Sequence, residues 1–190
     1  MEETKQDLLA DLGLQTGQYH GLDALVKGEH RYIRDLRVNI KNVLGSGTFT
    51  EKKHVYLIAL SVAVNEKSEP LIDAFSNLAR SEGATDEELA ESQSVASLLA
   101  TLNVFYRFKH FCDDSSYDNM QAGIKMTIMA RPVLGKELFE LMSIAISAVN
   151  GCQTCVNNHE KSVKSLGVSS EKIFDTVKIA AVVKGATLLF

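Results

Sequence analysis

The chain repeats itself. Ile58-Ala59-Leu60-Ser61 returns as Ile144-Ala145-Ile146-Ser147, and Ala63-Val64-Asn65 returns as Ala148-Val149-Asn150. Gly83-Ala84-Thr85 is answered by Gly167-Val168-Ser169, then Glu87 and Leu89 by Glu171 and Ile173. Upstream, Leu36-Arg37-Val38-Asn39-Ile40 is similar to Ile124-Lys125-Met126-Thr127-Ile128. The matches keep their order and nearly their spacing, as a degenerate duplication of one supersecondary unit would. A first copy then occupies about 34–110 and a second about 117–190, behind an extension over 1–33.

The punctuation within each copy is helical. Only 2 prolines interrupt 190 residues. Thr50 can cap a helix running to Asn65. Pro70 stands near the start of another, which stops at Gly83. Thr85 and Glu88 form a capping box for a long third helix towards His110. The second copy repeats the plan, with a helix from about Leu134 to Val149, one from Cys152 to Gly167, and one from Ser169 or Ser170 to the end. Asn150-Gly151 is a helix-ending pair. The fold class is all-α, although Ile124 to Met129 alternates enough to imitate a short strand. Residues 1–20 show little periodicity and read as a loose extension.

The formal net charge is −4, which disfavours a sequence-independent binder of nucleic acid. Met1-Glu2-Glu3-Thr4-Lys5 is not the start of a secretory signal. The uncharged stretch from Leu141 to His159 is too polar to span a membrane. The expectation is a soluble protein of the reducing cytoplasm. There, closely spaced cysteines indicate redox or metal chemistry rather than a structural staple.

Two of the 3 cysteines lie on one helix face. Cys152, Cys155, Val156, His159, Val163 and Leu166 follow helical spacing, with polar residues between them. The helix N-terminus favours thiolate at the cysteines, and His159 lies one turn beyond Cys155. The two helices flanking Asn150-Gly151 have almost no linker, so they should form an antiparallel hairpin. That places Glu140 level with His159, on a stripe shared with Ser143, Ser147 and Asn150. A carboxylate, an imidazole and a thiol pair in that order make a proton relay.

The same four residues, Cys152, Cys155, His159 and Glu140, could ligate zinc, but no second ligand pair accompanies them. Val156 after the second cysteine excludes covalent haem attachment. A thioredoxin-like reading fails because this Cys-x-x-Cys follows a helix rather than a strand. In the first copy Lys67, Pro70 and Ala74 stand where the second has Cys152, Cys155 and His159, so that copy is scaffold. Cys112 reads as a bystander, and His20, His30, His54 and His110 as surface histidines. Phe105, Tyr106 and Phe108 read as core, or else as an access route or subunit contact.

These residues also carry a resemblance. Residues 34–190 resemble the alkyl hydroperoxide reductase D (AhpD) family, an AhpD-like branch of the carboxymuconolactone decarboxylase fold group. The matching words are Asn103-Val104-Phe105-Tyr106-Arg107, Tyr117-Asp118 and Gly123-Ile124-Lys125-Met126. The strongest run from Phe139-Glu140-Leu141 through Ser147-Ala148-Val149-Asn150-Gly151-Cys152 to Cys155 and His159-Glu160. Leu166-Gly167-Val168 and Ile173-Phe174 continue them. The resemblance implies a two-lobed helical protomer in a homotrimer. It implies a hydroperoxidase acting on alkyl hydroperoxides that also reduces the peroxiredoxin AhpC. It implies no bound cofactor or metal, with a lipoyl-bearing dehydrogenase component supplying a dihydrolipoamide-type dithiol. By the same resemblance Cys155 is the peroxidatic thiol, Cys152 its proton-donating and resolving partner, and His159 and Glu140 the relay. Thr154 departs from the family, which places a second histidine between the cysteines. A same-fold rival is a decarboxylase-like or other small-molecule enzyme, against which Cys152 and Cys155 argue because members of that type lack the pair. A rival of another class is a redox sensor or adaptor whose disulfide alters partner binding.

Overall fold

The computed structural model describes residues 1–117 and 119–190; Asp118, half of one matching word, lies outside them. The described residues form nine α-helices and no strand. Three precede the repeat: α1 (Glu2–Asp11), α2 (His20–Lys27) and α3 (Tyr32–Leu44). The halves follow as α4 (Lys52–Asn65), α5 (Glu69–Ser81) and α6 (Asp86–Phe111), then α7 (Gly135–Val149), α8 (Gln153–Ser165) and α9 (Ser170–Ala186).

Two helices are apolar on every side, and the fold is built round them. In α4 the unbroken run Leu57 to Ala63 is buried; in α7 so is Leu138 to Ser147. A helix without a polar face must be surrounded. Helix α4 packs on α5, α6, α7 and α9, and α7 packs on α8, α9, α6 and α4. Each central helix thus touches both other helices of its own half and the third helix of the opposite half. That reciprocity is what a duplicated three-helix unit predicts.

Sequence punctuation sets the helix ends. Thr85 accepts from the Glu88 N–H while Glu88 accepts from the Thr85 N–H, so both halves of the capping box form. Ser169 caps α9 the same way on one side, accepting from the Lys172 N–H. Thr50 is not a cap; Glu51 takes the position and α4 starts at Lys52. The Ile124–Met129 stretch is not a strand but irregular chain with one 3-10 turn at Thr127–Met129. Its counterpart in the sequence match, Leu36–Ile40, is helical within α3, so that match is not mirrored in structure. The turn geometry also moves the alignment by one. Lys67 and Gly151 have positive φ (60° and 68°), the Ser68 N–H donates to Ala63 as the Cys152 N–H does to Ser147, and Ser68 and Cys152 are the N-caps. The first-half counterparts of Cys152, Cys155 and His159 are therefore Ser68, Leu71 and Phe75.

Residues 1–20 are not loose. Leu8, Leu9 and Leu12 are fully buried in the common core. Arg37 of α3 holds Asp7 and Asp11 of α1 at 2.5 and 2.7 Å, and buried Lys5 reaches Asp23 of α2 at 2.5 Å. Gly21 lets α2 close on the C-terminus, because a Cβ there would stand 2.5 Å from the Leu189 Cα. Three leucines at the end of a short helix, Leu12 just beyond it as the C-cap, are too narrow a stripe to register as periodic. Leu8→Ala should lower the unfolding free energy by about 3 kcal/mol in a denaturant titration; an extension detached from the core would show almost no change.

Candidate functional site

The site sits where α7 hands over to α8. The Cys152 N–H donates to the Ser147 carbonyl at 3.0 Å, and the Gly151 N–H to Ala148 at 3.1 Å, closing a tight helix-to-helix turn. Nothing would meet a Cβ at Gly151, so its positive φ, not space, is what favours glycine there. The turn is tied to the first half through amides. Asn150 and Asn65 exchange hydrogen bonds of 3.0 and 3.2 Å. Asn150 also donates to Asn103 at 2.9 Å, and Asn103 donates to Ser147 at 3.1 Å. Arg107 donates to the Asn150 carbonyl at 2.7 Å.

Cys152 is the N-cap of α8 and Cys155 stands in its first turn, with a disulfide between them and Cα atoms 5.3 Å apart. Both are buried, with exposures of 1% and 5%. Two hollows border the pair, and both are lined by Cys152 rather than Cys155. One, about 270 Å³, adds Ser147, Ala148, Val156 and Asn157; the other, about 110 Å³, adds Arg107, His110, Phe111 and Thr154. Cys152 thus lines both hollows, while Cys155 is slightly the less buried of the two.

The hairpin brings Glu140 and His159 together. His159 Nδ1 lies 2.6 Å from Glu140 Oε2, with both side chains buried. The other carboxylate oxygen, Oε1, is 2.9 Å from Lys136 Nζ. Burial pushes the Glu140 carboxyl up, but the hydrogen bonds and charges of His159 and Lys136 outweigh it and hold the group below its ordinary value. An ionised Glu140 accepts from Nδ1–H, which leaves Nε2 as the imidazole's free nitrogen. Of the residues sharing the Glu140 stripe, Ser143 donates within α7 to Phe139, while Ser147 and Asn150 join the amide network.

Among the described residues, no cluster of three or more His, Cys, Asp or Glu side chains is arranged to hold a metal. Cys112 is a free thiol at the end of α6. His20, His30 and His110 are exposed. His54 is not a plain surface residue: it is half-buried in a cleft with Lys136, and burial lowers its pKa. The aromatic segment on α6 is divided: Phe105 and Tyr106 are half-buried, while Phe108 faces outward with Val104 and Phe111, the last with 72% exposure. Lys136, Asn103 and Arg107 join the site without belonging to its motif. Lys136 has a signal in the sequence, an i,i+4 pairing with Glu140; Asn103 and Arg107 reach Asn150 only in three dimensions.

Comparison with known proteins bears on this geometry. Residues 117–189 match the model of the carboxymuconolactone decarboxylase family. The alkyl hydroperoxide reductase AhpD of Anaeromyxobacter dehalogenans is 35% identical over 88% of this chain and 89% of its own. The AhpD of Streptomyces avermitilis is 33% identical over 88% and 94%, and that of Coxiella burnetii 34% over 81% and 88%. A crystal structure from Burkholderia xenovorans, described as a gamma-carboxymuconolactone decarboxylase subunit, superposes with a TM-score of 0.68 over 96% of this chain and 91% of its own. At 18% identity that likeness speaks for the fold.

The Glu140 pairing predicts a pH dependence. A carboxyl lowered by folding contributes stability that is present above its unfolded pKa and lost as pH falls through the folded one. Denaturant unfolding at a series of pH values should therefore show wild type losing more stability than Glu140→Gln on acidification. Parallel pH curves would contradict the pairing.

Proposed function

We propose, for a chain that belongs to the alkyl hydroperoxide reductase AhpD family, that it is a thiol-dependent hydroperoxide reductase working through a Cys152–Cys155 dithiol–disulfide cycle. The observation carrying the reading is the buried cysteine pair at a helix N-terminus, with the His159–Glu140 pair one turn away. The Cys155 thiolate attacks the peroxide O–O bond. The bond breaks, the alkoxide takes a proton and leaves as alcohol, and Cys155 becomes a sulfenic acid. Cys152 then attacks that sulfur, water departs, and the disulfide forms. The N–H groups of the first turn favour the thiolate, and His159, steadied by Glu140, takes and returns the protons.

Return to the dithiol needs two electrons from outside. A donor thiolate of the dihydrolipoamide type attacks one sulfur, the other leaves as thiolate, and the donor's second thiol resolves the mixed disulfide. The hollows beside Cys152 favour attack there, with Cys155 leaving next to the base. The same dithiol can pass its electrons to a peroxiredoxin of the AhpC kind. The outward apolar stripe of Val104, Phe108 and Phe111 suits a contact between copies in a homotrimer. A reducing compartment such as the cytoplasm suits a cycling dithiol. The disulfide chemistry itself has no need of a histidine at Thr154.

Peroxide consumption should be followed with dihydrolipoamide as donor, with and without a peroxiredoxin. Cys152→Ser and Cys155→Ser should each abolish turnover with the fold intact, and Cys152→Ser treated with peroxide should accumulate sulfenic acid on Cys155. Glu140→Gln and His159→Gln should slow turnover roughly 100-fold without abolishing it. Full activity in either serine variant would sink the assignment. A disulfide that cycles without peroxide turnover would favour a redox sensor.

A further inference from the structure

Glu140 has two carboxylate oxygens, and the relay accounts for one. Oε1 faces Lys136, one turn earlier on α7, at 2.9 Å. The ammonium does not hang loose at that point. It also donates to the Met129 carbonyl at 3.1 Å and lies 5.8 Å from the centre of the Phe139 ring. The start of α7 is itself clamped: the buried Glu91 carboxylate of α6 accepts from the N–H groups of Val133 and Leu134 at 2.8 and 2.5 Å.

The charges around this point are divided in an informative way. Behind Lys136 lies a cleft of about 320 Å³, lined also by His54 of α4, Glu137 of α7 and Lys172 of α9. Glu137 and Lys172 satisfy each other at 2.6 Å. Glu140 thus meets His159 from α8 and Lys136 from its own helix, while the remaining charges of the cleft are paired away from it. A carboxylate this deep, with 2% exposure, needs a second partner beside the imidazole to remain charged.

Resting on the hydroperoxidase reading, we propose that Lys136 is a positioning residue of the relay: it pins Glu140 Oε1, so that Oε2 holds His159 in the Nδ1–H form and leaves Nε2 free for proton exchange. The residue works through Glu140 and touches neither sulfur nor peroxide. Its positive charge offsets the burial of the carboxylate, so without it the carboxyl protonates at higher pH and releases the imidazole. Because roughly half of Lys136 is exposed, its removal leaves no buried hole.

The test compares wild type, Lys136→Met and Lys136→Arg. Two readouts are taken: the ¹³C NMR titration of the Glu140 carboxyl in the resting oxidised protein, and the pH profile of dithiol-dependent peroxide turnover. In Lys136→Met the Glu140 titration should move to higher pH. Turnover should fall roughly tenfold near the acid end of the profile, with little change at the alkaline end. Lys136→Arg should restore both, since it keeps the charge. An unmoved Glu140 titration in Lys136→Met, or an arginine variant no better than the methionine one, would overturn the proposal. The titration reads Lys136 even in a protein with no turnover, so failure of the hydroperoxidase reading and failure of this one are told apart.

Discussion

A carboxylate placed inside the most apolar helix of the molecule is the constraint on which the site depends. Glu140 sits in the buried run of α7, where an unpaired charge would be intolerable. Its partners must come from elements held at fixed height beside it. The α7–α8 hairpin supplies His159 and the preceding turn of α7 supplies Lys136. The cysteines then follow from the same hairpin, since the helix that must present His159 to Glu140 presents Cys155 one turn earlier on the same face. Packing, charge pairing and reactive geometry are one arrangement.

The first half shows what that arrangement looks like without the chemistry. Leu71 and Phe75 occupy the positions of Cys155 and His159, both buried in the core, and Ser68 occupies that of Cys152. The turn is the same, with Lys67 in the left-handed conformation that Gly151 adopts at less cost. The first half gives the second its neighbours: Asn65, Asn103 and Arg107 fix Asn150 and the helix end. A scaffold half is thus not inert. It holds the turn from which α8 and its two sulfurs depart.

Legibility in the sequence tracks how local each determinant is. Capping at Thr85 and Ser169, the stop at Asn150-Gly151 and the face shared by Cys152, Cys155 and His159 are set within a turn or two, and all are readable. Glu140 is nineteen positions from His159, yet a linker with no slack makes the pairing computable. Leu8, Leu9 and Leu12 fail that test, because a short stripe acquires meaning only against a distant core. So does the outward turn of Phe108 and Phe111, since an aromatic cluster looks alike whether it faces core or solvent. The repeat alignment slips by one residue because helices tolerate similar apolar words in several registers, while a positive φ does not.

The thiol pair poses a conflict that the geometry helps to order. A helix N-terminus alone favours charge on the sulfur nearest the end, which is Cys152; a base one turn on favours Cys155. These preferences need not compete in one step. In the proposed cycle, peroxide attack requires a thiol whose proton can be taken to leave the thiolate, which suits the sulfur one turn from His159. Reduction requires a sulfur that an outside thiolate can reach and a leaving sulfur whose charge is stabilised. The hollows are lined by Cys152, and Cys155 stands one helical turn before His159 on α8. On the proposed reading, Cys152 is the contact with the donor and Cys155 the contact with the relay.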